Sequence, residues 1–126
     1  MTHAYDLYQQ GREHLKRGMA AQATVALEKA KRLEPDKASI REALGIAYFR
    51  IQRWSEAEAE FRVVLELSPT DDYAHYALGR TLEKLGRDAE ANGHYKLASS
   101  MSPTTERYAD RIMDLEPSEP DGSNPS

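Results

Sequence analysis

The chain has 126 residues, a formal net charge of −4 and no cysteine. That length fits one domain, the acidic balance argues against general nucleic-acid binding, and the missing thiols exclude disulfides, thiol catalysis and thiolate metal sites. No apolar run approaches the ~20 residues that cross a bilayer, and the opening MTHAYDLYQQ lacks the basic start and apolar core of a secretion signal, so a cytoplasmic protein is expected.

Apolar and small residues recur at spacings of three and four, which puts them on one stripe of a helix. In chain order the pattern predicts helices over about 4–17 and 20–33, with Gly18 marking the turn between them. A second pair is expected over about 37–51 and 55–67, with Ser55 and Glu58 spaced as a capping box. A third pair follows over about 71–85, ending at Gly86, and 88–101. Asp36, Thr70 and Thr104 each follow a proline that cannot continue a helix, and each is a candidate N-cap for the next one. Asn92-Gly93 interrupts the sixth helix, where glycine costs ~1 kcal/mol against alanine. A last helix is expected over about 104–115, its outer face polar (Glu106, Arg107, Asp110, Arg111). Beyond Leu115 the run EPSEPDGSNPS holds no apolar residue and reads as a flexible acidic, proline-rich tail over 116–126.

The pairs repeat. Gly11, Ala23, Ala30 and Pro35 return as Gly45, Ala57, Val64 and Pro69, and again as Gly79, Ala91, Ala98 and Pro103, at a constant step of 34 residues. The small residues let two helix backbones approach closely, and a larger side chain there would overpack the contact by ~1–3 kcal/mol. This register resembles the tetratricopeptide repeat family. The middle copy carries it best, with Leu44, Gly45, Tyr48, Ala57, Phe61 and Pro69. The third keeps Leu78 and Gly79 but has Leu82 and Tyr95 as substitutes; the first has Gln10 and His14 where Leu and Tyr are usual. The family's early tryptophan is replaced by Leu7, Arg41 and His75. The resemblance covers about residues 4 to 105. It implies an all-α fold: three tandem helix–turn–helix repeats over about 4–37, 38–71 and 72–105, closed by a capping helix over about 104–115. Residues 1–115 would then be one domain, a short right-handed superhelix.

Sites of chemistry are not evident. No glycine loop is placed to cradle phosphate, and His3, His14, His75 and His94 show no zinc-site spacing. His14 and His75 fall on repeat-interior positions and read as packing histidines. Glu56, Glu58 and Glu60 read as a solvated helix face, and Trp54 as a packing residue at a turn. No enzyme activity, cofactor or metal is expected.

The resemblance implies that the first helix of each pair lines a concave groove. The family's contact positions fall here on Tyr5, Tyr8, Arg12, Leu15 and Lys16; on Ser39, Glu42, Ile46, Phe49 and Arg50; and on Tyr73, Tyr76, Arg80, Glu83 and Lys84. Independently of any family, the spacing of 5, 8, 12 and 16 shares one helix face. The set carries five basic and two acidic residues in an acidic chain, and four of the seven tyrosines. Tyrosine and arginine are frequent interface anchors, and arginine pairs with carboxylates through two parallel hydrogen bonds. The expectation is a non-enzymatic scaffold or adaptor whose groove takes a protein or peptide partner of acidic character. Two alternatives stand beside it: a self-associating structural protein, and a docking subunit for an enzyme encoded elsewhere. Some family members grip a chaperone's C-terminal carboxylate with a Lys and Asn clamp. The clamp positions hold Tyr8, Arg12, Ala43, Tyr73 and Ala77 here, so that mode is not expected. The acidic tail is itself a candidate occupant of the groove, and deleting 116–126 should then strengthen acidic-peptide binding.

Overall fold

The computed structural model describes residues 3–101 and Leu115. Six helices account for almost all of it: α1 (Ala4–Lys16), α2 (Ala20–Leu33), α3 (Ala38–Arg50), α4 (Trp54–Leu67), α5 (Asp72–Lys84) and α6 (Asp88–Met101). They form three hairpins, α1–α2, α3–α4 and α5–α6, and each helix packs on its neighbours in sequence, with α1 also touching α3. The expected capping helix over 104–115 and the tail over 116–126 lie outside the described residues, Leu115 excepted.

Glycine sets how close the two helices of a hairpin come. Gly11, Gly45 and Gly79 are buried, and a Cβ added at each would sit 2.5 Å from Leu27, 2.7 Å from Phe61 and 2.6 Å from Tyr95. Each of these large side chains lies flat on a bare stretch of the facing helix. Around them, Ala23, Leu27, Ala57, Phe61 and Ala91 join Leu44, Ala47, Leu78 and Leu82 in one continuous core. Small and large residues therefore interlock rather than merely cluster.

The three hairpin turns share one geometry. The backbone N–H of Met19, Arg53 and Arg87 donates to the carbonyl of His14, Tyr48 and Leu82, at 2.8, 2.9 and 2.8 Å. This six-to-one closure needs a left-handed residue one position earlier. Gly18 (φ 73°) and Gly86 (φ 80°) supply it, and Gln52 (φ 65°) does so in the middle hairpin, where a side chain must tolerate the conformation.

The helix starts differ from expectation. Asp36 and Thr70 are not the caps: α3 begins after Lys37 with no side-chain cap, and α5 is capped by Asp71, whose carboxylate accepts from the Ala74 N–H at 3.0 Å. Pro35 and Pro69 each take the second position of a tight turn, closed by the Lys37 N–H on the Glu34 carbonyl at 3.3 Å and the Asp71 N–H on the Ser68 carbonyl at 3.1 Å, so Asp36 and Thr70 fall inside the turn and the capping position passes to the residue after it. Nor is Ser55 a cap, because α4 already starts at Trp54 after Arg53. Thr104 lies outside the described residues.

Candidate functional site

The first helices of the hairpins present a face that mixes cations and aromatic rings. Near the start of the array, the Arg12 guanidinium lies 5.7 Å from the Tyr8 ring centre. Its Nε is buried and has no hydrogen-bond partner, the one such side-chain atom among the described residues. Buried N–H groups are almost always paired, so an orphaned one is an exception in this fold. Farther along, Arg80 lies 5.9 Å from the Phe49 ring centre and 6.0 Å from that of Tyr76, donates to the Tyr76 hydroxyl at 3.1 Å and sits 3.8 Å from Glu83. Tyr95 donates to the same Glu83 at 2.8 Å, and burial together with that carboxylate drives its phenol pKa upward. Tyr76 packs between Tyr73 and Tyr95 at 6.2 and 6.1 Å.

At the hairpin-turn end of this face lies a cleft of about 590 Å³. Phe49 and Trp54 meet edge to face at 4.8 Å, and the Lys84 ammonium lies 5.6 Å from the Trp54 ring centre. Arg50 reaches across to the first hairpin, donating to the Leu15 carbonyl at 2.8 Å. Met19 and Ala20 form part of the wall, and so does Leu115.

The residues expected to line the groove divide into two groups. Tyr8, Arg12, Glu42, Arg50, Tyr76 and Arg80 are half-buried, and Tyr5, Lys16 and Lys84 are exposed. Ile46 and Tyr73 are instead core residues at 0 % exposure, as is Leu15 at 2 %, and they present no face to a ligand, whereas Phe49, 2 % exposed, lines the cleft in the company of Leu115. For Ile46 and Phe49 the cause is position: α3 lies between α2 and α4 and also meets α1, so most of its circumference is covered. Tyr5 is 65 % exposed and accepts from the Gln9 amide on its own helix, so it stands at the edge of the face.

Three features lay beyond the sequence reading. Glu60 is not on a solvated face: it is 5 % exposed, held by Lys31 at 2.8 Å and Arg41 at 3.1 Å. Glu58 is half-buried and binds both Arg62 and Arg87. His75 is buried and meets His94, 19 residues later, with their Nδ1 atoms 3.1 Å apart. The Pro69 carbonyl, 3.1 Å from His75 Nε2, can only accept, so His75 carries its proton there and its Nδ1 accepts from His94. Among the described residues, no group of three or more acidic, histidine or cysteine side chains is placed to hold a metal ion, and no helix is long and apolar enough to cross a membrane.

Helical hairpins stacked at a fixed interval, with a continuous first-helix face, define an α-solenoid. The family model of the tetratricopeptide repeat matches residues 8–72, over half of the chain. The protein belongs to the tetratricopeptide repeat family. Among solved structures it is similar to YrrB, described as a repeat protein with an unusual peptide-binding site, at 22 % identity and a TM-score of 0.80. That likeness covers 84 % of this chain and 55 % of YrrB, so the chain spans about half of that protein's length. It is also similar to the second repeat domain of Spaghetti (RPAP3), solved with the HSP90 peptide SRMEEVD, at 20 % identity, TM-score 0.76, and 80 and 94 % coverage of the two chains. The R50E mutant of MamA is 26 % identical, with a TM-score of 0.75 and coverage of 79 and 72 %. No curated protein matches the chain.

Proposed function

We propose that this chain is a non-enzymatic protein-interaction module whose first-helix face receives a partner segment bearing carboxylates. The observation that carries the reading is the Arg12 guanidinium, half-buried beside Tyr8 with its Nε unsatisfied. A carboxylate is the acceptor that best matches a guanidinium edge. Arg50, Arg80 and Lys84 continue the basic character along the same face, against the −4 charge of the whole chain. The solved relatives add support, since YrrB is described by a peptide-binding site and the RPAP3 domain holds an acidic peptide. The side chains differ from the Lys and Asn clamp, with Tyr8, Ala43, Tyr73 and Ala77 at its positions, so carboxylate recognition here centres on Arg12.

A peptide array graded by net charge tests this. The wild-type chain should retain acidic members, with retention falling as salt rises. Arg12→Glu combined with Arg80→Glu should abolish retention while the circular dichroism stays helical. Ala57→Trp, placed in the 0 % exposed hairpin contact, should instead unfold the protein. Retention of the same peptides by the double variant overturns the assignment.

A further inference from the structure

The cleft at the hairpin-turn end is already met by a residue from this chain's own C-terminal segment. Leu115 is 1 % exposed and belongs to the main core cluster with Phe49. It lines the cleft together with Met19, Phe49, Arg50, Trp54 and Lys84. A leucine buried this deeply behaves as a docked ligand side chain, held by an apolar floor with two cations at the rim. In sequence, Leu115 stands between Asp114 and Glu116. An acidic–apolar–acidic triplet is the chemical complement of an apolar seat rimmed by Arg50 and Lys84.

We propose that the apolar floor beside the cleft is a seat for a leucine flanked by carboxylates, taken in cis by Leu115, and that an external partner of the same chemistry must displace it. This deepens the interaction reading above and rests on it: it names the side chain the partner inserts and adds internal competition. The reach is short. Leu115 lies 14 residue steps beyond Met101, and at a helical rise of ~1.5 Å per residue that many steps cover ~21 Å, the length of one helix of this array. A segment tethered that closely competes at an effective concentration of ~1 mM, so a cis affinity of ~100 µM weakens any partner peptide about tenfold.

Trp54, the single tryptophan, lies in the cleft and reports on it. The test uses the full chain, its Leu115→Ser and Leu115→Met variants, and the peptide DRIMDLEPSEP with or without serine in place of its leucine. With no peptide present, Trp54 emission should shift to the red in Leu115→Ser and stay in place in Leu115→Met, with helicity unchanged in both. The leucine peptide should reverse the shift and bind Leu115→Ser about tenfold more tightly than wild type, whereas the serine peptide should not bind. Unchanged emission in Leu115→Ser overturns the cis seat whatever the groove binds. Wild-type emission that moves to the blue as protein concentration rises assigns the leucine to a second copy and also overturns it. A red shift that the leucine peptide cannot reverse overturns the ligand assignment. The Arg12 and Arg80 reversals leave the Trp54 response intact, so the two readings fail separately.

Discussion

One substitution, glycine to alanine, should act with opposite sign at two places in this protein. At Gly45 a new Cβ would lie 2.7, 2.9 and 3.0 Å from three ring carbons of Phe61, which is 0 % exposed and cannot swing away. Alanine relieves the helix of ~1 kcal/mol of glycine's conformational cost. Overpacking a filled core costs ~1–3 kcal/mol, and a rigid aromatic neighbour places this contact toward the upper end. The net expectation is a loss of ~1–2 kcal/mol. At Gly93, in the exposed part of α6, nothing lies within 4 Å of the added carbon. Only the conformational gain remains there, up to ~1 kcal/mol. Thermal melts followed by circular dichroism resolve the difference, since 1 kcal/mol moves the midpoint of a domain this size by ~4–8 °C. Adding Phe61→Leu to Gly45→Ala should recover part of the loss, with a coupling energy above ~0.5 kcal/mol. If Gly45→Ala and Gly93→Ala shift the midpoint in the same direction, glycine does not set the hairpin spacing.

Other expectations follow from the same structure. Gln52→Gly should stabilise the chain by ~0.5 kcal/mol in a denaturant titration, because the left-handed residue costs ~1–2 kcal/mol more than glycine there while glycine loses more freedom on folding. Glu60→Ala should cost ~1–3 kcal/mol in the same titration, since Lys31 and Arg41 lose their shared buried carboxylate and keep only Glu28 and the Pro35 carbonyl. Stability should also fall as the solution is acidified below about pH 6.5, the ordinary histidine value. Burial, then the neighbouring His75 and Arg62, lower the His94 pKa, and Glu90 opposes them only in part. The unfolded chain therefore binds more protons than the folded one in that window: stability is complete above 6.5 and declines as pH drops toward the lowered folded value. His94→Gln should flatten this slope, and an unchanged pH profile would show that His94 does not govern it.

The sequence carried the period and hairpins because they rest on local rules. Gly11, Gly45 and Gly79 recur since each must face a large side chain, and the helix limits fell within a residue or so of those observed. What it could not show depends on how one helix turns against the next. Glu56, Glu58 and Glu60 look alike along α4, yet only Glu60 faces both Lys31 and Arg41. His75 and His94 approach only through the α5–α6 packing. Ile46 falls on a groove position by count, and a count does not register that α3 is covered by α1, α2 and α4 together. Arg12 was legible as a cation on the right face; its unsatisfied Nε was not.

The Glu60 contact has a further consequence for how the array comes apart. Lys31 belongs to the first hairpin, and Glu60 and Arg41 to the second, so one dry carboxylate welds those two units together. The ion pairs at the joint to the third hairpin, Arg62 with Glu90 and Arg87 with Glu58, sit instead on side chains 17 to 44 % exposed, more open to water than Glu60. Dissolved ions screen such exposed pairs and hardly reach a buried one. Raising the ionic strength should therefore loosen the array from its C-terminal unit first, giving faster amide exchange in α6 while α2 and α4 remain protected as a single block.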